Sequence, residues 1–162
     1  MVRGLKAAPA SAFDLLEALD DSGARARLTR LRFGQMARQV SQGASVTFRT
    51  PEGALVAVVG LWPEPDHLEA WLAVGPAFRG RFRSALEAIE DALCFFACRE
   101  APVDVRIYVR VDPKSRDQGQ LDRVAGARMA RWLGFDRTGT EALPSGPVEV
   151  FQRHFGGAPG GQ

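Results

Sequence analysis

Between residues 68 and 111 the hydrophobic period changes twice, and that change limits the folds open to the chain. Residues 68–74, LEAWLAV, are bounded by Gly75 and Pro76, which predicts a strand. Phe82, Leu86, Ile89, Leu93 and Phe96 then recur every three to four residues, which predicts an amphipathic helix ending near Glu100. Residues 103–111, VDVRIYVRV, alternate one by one, as a half-buried strand does. Strand, helix and strand in that order predict a right-handed crossover between parallel neighbours.

The segments around this unit point to an antiparallel remainder. Residues 55–62, LVAVVGLW, form a continuous apolar run, the pattern of a central strand. Turn residues flank it, Pro51-Glu52-Gly53 before and Pro63-Glu64-Pro65-Asp66 after. Residues 45–50, 55–62 and 68–74 therefore read as antiparallel neighbours on short loops. Upstream, residues 2–8 suggest a first strand, and Ser11 is placed to cap a helix carrying Phe13, Leu15, Leu16 and Leu19. Residues 24–40 read as a second helix. Downstream come a polar loop over 112–119, a fourth helix over 121–133 closed by Gly134, a short strand at 138–140 and a last strand over 148–155. The expected fold class is α/β of the mixed α+β kind: a mostly antiparallel sheet with one parallel crossover, flanked by about four helices.

A chain of 162 residues can bury a real core, and neither a repeat nor a linker divides this one. Residues 1–155 read as a single domain and the Gly- and Pro-rich residues 156–162 as a flexible tail. The net charge of +2 and the lack of an aromatic-basic motif argue against nucleic acid as a partner. The opening MVRGLKAAPASAFDLLEALDD has no apolar run of signal-peptide length, and no segment is long enough to span a bilayer. A cytoplasmic protein is expected, or one packaged in a virion if the gene is a phage's. Cys94 and Cys98 lie on or near the apolar side of the third helix and read as core thiols; Trp62, Trp71 and Trp132 read as core by default. With His67 and His154 distant in sequence, no metal site is expected.

The third helix begins oddly. Arg79, Arg81 and Arg83 crowd the end where the helix dipole is positive, a placement that a bound anion or a solvated surface would accommodate. Amides at a strand-to-helix turn point outward and make a natural phosphate cradle.

Three segments in this order of elements resemble the GNAT superfamily of acetyl-CoA-dependent N-acetyltransferases. Pro76, Arg79 and Gly80, between a strand and a helix, are similar to the start of the family's Pro-x-x-Arg-Gly-x-Gly-x-Gly turn. ARMARWLGF looks like the family helix that ends in Leu-Gly-Phe, here Leu133, Gly134 and Phe135, and VEVFQRHF stands where the family has its final strand. The resemblance implies that acetyl-CoA is the cofactor. Its pyrophosphate would rest on Arg79, Gly80, Arg81, Phe82, Arg83 and Ser84, with the amides of residues 81–84 foremost. Leu72, Ala73 and Val74 would run beside the pantetheine arm and polarise the thioester carbonyl. Phe82 and Ser84 replace two glycines of the family turn, and by period Phe82 belongs to the core stripe of its helix.

The same resemblance calls for a base and an acid. Glu69, on the face of its strand opposite Leu68, Ala70 and Leu72, is the candidate base, with Asp66 and His67 near the start of that strand. The family's tyrosine position is Ala130 here and its asparagine position is Arg123. Tyr108, the chain's only tyrosine, is therefore the candidate acid. Two functions are consistent with these residues. One is acetyl transfer to an amine on a small molecule or a protein. The alternative is a GNAT-like fold without catalysis, as in internal virion proteins of phages, with other virion proteins as partners.

Overall fold

The apolar residues among 55–61 are none of them more than 3% exposed, so the run predicted as a central strand is one. The computed structural model describes residues 4–21, 30–110, 125–144 and 146–156. Its elements are β1 (Lys6–Pro9), α1 (Ala12–Asp21), α2 (Arg30–Gln42), β2 (Ala44–Arg49), β3 (Leu55–Pro63), β4 (Leu68–Val74), α3 (Phe82–Cys98), β5 (Val103–Arg110), α4 (Ala125–Trp132), β6 (Asp136–Leu143) and β7 (Gly146–Phe155). A 3₁₀ turn over Arg79–Arg81 precedes α3.

The strands form one seven-stranded sheet in the order β1-β2-β3-β4-β5-β7-β6. The expected crossover is present: β4 and β5 are parallel, with Leu68 opposite Val105 and Glu69 opposite Arg106. The pairs β1–β2, β2–β3, β5–β7 and β6–β7 are antiparallel. The mixed, mostly antiparallel sheet read from the sequence is the sheet observed.

Several bounds differ from the expectation. The first strand covers residues 6–9, and the short strand expected at 138–140 is longer, β6 over Asp136–Leu143, forming a hairpin with the expected last strand, which starts at Gly146. Thr138 and Thr140 hold the outer strand through their hydroxyls, to Val150 O at 3.3 Å and Glu149 Oε1 at 3.4 Å. The beginning of the expected second helix, the loop over 112–119, residues 121–124 of the fourth helix and most of the tail lie outside the described residues. No helix among the described residues is long and apolar enough to cross a membrane.

By contacts the chain divides into two compact units, residues 1–63 with 71–96, and residues 64–70 with 97–162. In the first, Leu15 and Ala18 of α1 and Val40 of α2 close on Leu55 and Val58 of β3, with Met36, Trp71 and Ala73 packed against them. Ser11 caps α1 as expected: its hydroxyl oxygen accepts from the amide of Asp14 at 3.4 Å, and its own amide donates back to Asp14 Oδ2 at 2.8 Å. Asp14 also accepts from Thr47 at 2.8 Å and from Arg49 at 2.7 Å, which ties α1 to β2. In the second unit Ala127, Ala130, Leu133, Phe135, Val105, Val109, Val148, Val150, Phe151 and Phe155 are buried. α4 ends in a Schellman motif at Gly134, φ +80°, with the amide of Phe135 on Ala130 O at 3.0 Å and that of Gly134 on Arg131 O at 2.9 Å.

Candidate active site

The turn after β4 lies wholly in the first unit. Beyond Val74 the chain stays bonded to β3: the amides of Gly75 and Ala77 donate to Val56 O at 2.9 Å and Leu55 O at 3.0 Å. Gly75 is required by this approach, because a Cβ there would stand 2.4 Å from the carbonyl oxygen of Leu55. Phe78, buried, anchors the far side.

Right-handed backbone begins at Phe78 (φ −59°, ψ −47°) and runs through Phe82 (φ −50°, ψ −50°), so the helical conformation starts a turn earlier than the hydrophobic period suggests. Within that extra turn the amide of Phe78 donates to Gly75 O at 3.2 Å and the amide of Arg81 to Phe78 O at 3.1 Å. The main-chain donor of Arg81, one of those expected to hold a pyrophosphate, is thus engaged inside the chain. Gly80 is different. Its φ is not positive, and a Cβ built on it meets nothing within 4 Å. Neither conformation nor packing demands a glycine here, although glycine in a helical turn costs about 0.5–1 kcal/mol relative to alanine.

The three arginines do not share one environment. Arg81 reaches back toward β1, its Nη1 3.5 Å from where a Cβ of Gly4 would lie. Glu52, in the turn between β2 and β3, is held below the usual carboxylate range by its own amide and the Thr50 hydroxyl first, and then by the charges of Arg81 and Lys6. Arg79 and Arg83 are exposed.

Phe82 is not the core residue that its spacing suggested. It is 36% exposed, and its ring meets Phe78 edge-on, centroids 5.6 Å apart. Ile89 and Leu93 of the expected stripe are buried, with Ala85, Ala88 and Ala97 beside them, whereas Phe82, the first residue of α3, lies at the end of that stripe and stays at the surface. Two further expectations fail in the same way: Cys98 is exposed and Cys94 half-buried, and Trp132 is 53% exposed beneath the guanidinium of Arg128.

The second group lies in the other unit, where β4 begins and β5 runs beside it. His67 is 8% exposed. Its Nδ1 is 2.7 Å from Asp66 Oδ1, and its Nε2 is 3.1 Å from the hydroxyl of Tyr108. The rings of His67 and Tyr108 meet edge to face, centroids 6.2 Å apart. Arg106 sits alongside, with Nη2 3.6 Å from Asp66 Oδ2 and Nε on Gln152 Oε1 at 2.9 Å. The hydrogen bond from His67 keeps the Asp66 carboxyl below its ordinary pKa, helped by Arg106. Burial pushes the Tyr108 hydroxyl upward, with Arg106 pulling back and Glu141 and Glu69 adding to the rise.

Glu69 is half-buried on β4 opposite Arg106. Burial first, and then repulsion from Glu64, raise its pKa above 4.5, against an opposing pull from His67. Glu69 and Tyr108, named from the sequence, thus fall within one polar neighbourhood of the second unit. The sequence also placed Asp66 and His67 near Glu69 without linking them to Tyr108, because a histidine behind a Pro-Asp turn has no spacing that announces a partner 41 residues away. Among the described residues, no group of three or more His, Cys, Asp and Glu side chains is arranged to hold a metal ion.

No protein-family model and no curated protein matches the chain by sequence. Solved structures do match. A putative GnaT-family acetyltransferase from Bordetella pertussis superposes with a TM-score of 0.63 at 19% identity, over 93% of this chain and 96% of that one. The aminoglycoside acetyltransferase AAC(6')-Ib, solved with coenzyme A and kanamycin, gives 0.60 at 16% identity, covering 93% and 94%. A phosphinothricin acetyltransferase of the GNAT superfamily from Sinorhizobium meliloti, solved with acetyl-CoA, gives 0.61 at 12%, covering 94% and 89%. The fold is that of the GNAT acetyltransferases. In this GNAT fold the position expected to bear a tyrosine, Ala130, is 1% exposed and enclosed at the end of α4.

Proposed function

We propose that the chain is an acetyl-CoA-dependent N-acetyltransferase acting on a primary amine, of a small molecule or a protein, in the cytoplasm. One observation carries the reading: in a GNAT fold, the 3₁₀ turn that leads from β4 into α3 holds a glycine, Gly80, that faces open space and that the chain itself does not need. A polyphosphate lying against that turn explains it. The amides of Arg79 and Gly80 would take the pyrophosphate, with Arg83, Ser84 and the first turn of α3 around them and the side chains of Arg79 and Arg83 supplying charge. Arg81 and Phe82 would border the site. The main chain of Leu72, Ala73 and Val74 would align the pantetheine arm and polarise the thioester carbonyl.

Bound acetyl-CoA supplies the activated acetyl group; the residues of the chain manage the protons. An amine arrives as an ammonium ion and must lose a proton before it can attack. Glu69, its carboxyl raised by burial, is the base for that step, since a base works best with a pKa drawn toward the working pH. Tyr108 is the acid for the departing sulfur.

The test is release of thiol from acetyl-CoA in the presence of a panel of primary amines: amino sugars, polyamines and lysine peptides. Turnover with at least one amine is expected, with Glu69→Gln and Tyr108→Phe lowering it. No turnover with any amine would overturn the proposal. One observation favours the second reading, a GNAT fold without catalysis such as a virion component: the amide of Arg81 is already spent within the chain.

A further inference from the structure

We infer that Asp66, His67 and Tyr108 form a proton relay that stores, and then returns, the proton exchanged between the attacking amine and the leaving sulfur. The inference rests on the transferase reading above, and it assigns His67 and Asp66 to a role as positioning residues behind Tyr108.

The direction of the relay follows from which atoms can donate. An ionised carboxylate only accepts, so the 2.7 Å contact with Asp66 places a proton on Nδ1, and the relay uses the tautomer in which Nδ1 alone carries one. Nε2 is then a bare lone pair, and the 3.1 Å contact with Tyr108 requires the hydroxyl to donate to it. The order carboxylate, imidazole, hydroxyl is the order of a catalytic triad, with a phenol at the working end. Asp66 is held ionised by its bond to His67 and by Arg106, so the ring keeps its orientation. His67 itself is shielded from water, while Asp66 is 68% exposed. The charged and polar groups that face this chain are Glu64 and Glu69 on the side of β4, Arg106 on β5, Glu141 on β6 and Gln152 on β7.

The protons balance. The ammonium substrate gives its first proton to Glu69 and thence to water. After attack, the nitrogen carries a second surplus proton: its N–H bond breaks and an O–H bond forms at Tyr108 as the original hydroxyl proton moves to His67 Nε2. The imidazolium so formed is stabilised by Asp66. When the carbon–sulfur bond breaks, Tyr108 gives a proton to the sulfur, and His67 returns its Nε2 proton to Tyr108. The residues end as they began, with one proton released to solvent and one on the thiol.

The chain has two histidines and one tyrosine, so each is resolvable by spectroscopy. Nitrogen NMR of the imidazoles in the full-length protein is expected to show His67 protonated at Nδ1 and bare at Nε2, and Asp66→Asn to mix the two tautomers. Because Asp66 is exposed, that variant tests the relay without touching the core. His67→Gln offers an amide oxygen to the Tyr108 hydroxyl but cannot carry a proton. It is expected to leave the affinity for acetyl-CoA within twofold, to lower kcat of thiol release by about 10-fold or more, and to flatten the pH–rate profile. His67 protonated at Nε2, or a Gln variant with wild-type kcat and pH profile, would overturn the relay while leaving the transferase reading in place. A wild-type protein that binds no acetyl-CoA and releases no thiol would overturn both.

Discussion

The turn after β4 and the polar group at the start of β4 carry opposite kinds of information. The turn is rich in recognisable sequence: Pro76, Arg79 and Gly80 align with a known pattern. Yet its structure shows donors already bonded within the chain, one arginine directed elsewhere, and a phenylalanine at the surface. The polar group has almost no sequence signature, and its structure is a closed network of short contacts around a buried histidine. A motif reports where a backbone turns. A hydrogen-bond network, which must be complete because unpaired buried polar groups cost about 1–3 kcal/mol each, reports what the side chains are arranged to do.

The sharpest break between the two regions comes from Glu69→Gln. In the transferase account it lowers thiol release by about 10²–10⁴-fold, the usual contribution of a general base. It should not weaken the fold. A carboxyl whose pKa is raised above 4.5 destabilises the folded state at pH above its folded value, and that penalty fades as pH falls through it. The Gln variant is therefore expected to unfold at higher denaturant than the wild type at pH 8 and at nearly the same denaturant at pH 4. A loss of stability at pH 8 would contradict the assignment.

Next in size are two glycines of the turn. Gly75→Ala drives a methyl group into the backbone of Leu55 and is expected to cost about 1–3 kcal/mol or more, read by chemical denaturation. Gly80→Ala meets nothing, and in the free protein it should gain about 0.5–1 kcal/mol. That gain should be accompanied by weaker acetyl-CoA binding; unchanged binding would mean that no ligand approaches this glycine.

Phe82→Ala gives a smaller effect. An edge-on aromatic pair at the surface is worth about 0.5–1.5 kcal/mol beyond its buried area, whereas truncating a core phenylalanine costs about 3–5 kcal/mol. A loss nearer the first range confirms that Phe82 lies at the surface end of its stripe and outside the core.

The sequence showed its fold where apolar residues set a strict period, and hid it where position along an element decides exposure. β3, the crossover from β4 to β5 and the glycine at the end of α4 were all readable, because burial on two faces, strict alternation and a positive φ each leave an unambiguous residue pattern. The exposure of Phe82 was not, since a residue at the first position of a helix can share the apolar stripe of Ile89 and Leu93 and still lie beyond what that stripe packs on. Glu69 and Tyr108 could be named because residue type and face suffice to propose an acid and a base. Their link through His67 could not, since it depends on the register that sets Glu69 opposite Arg106 and brings a turn histidine to a tyrosine two residues further along β5.

The most direct measurement of the central claim is calorimetric titration of the full-length protein with acetyl-CoA, alongside Arg79→Ala and Gly80→Ala. The account predicts one site with a dissociation constant in the micromolar range, weakened about 10-fold or more by either substitution, since each lost phosphate contact is worth about 1.4 kcal/mol or more. A folded wild-type protein that gives no binding heat at millimolar acetyl-CoA, or one whose binding neither substitution alters, would contradict it.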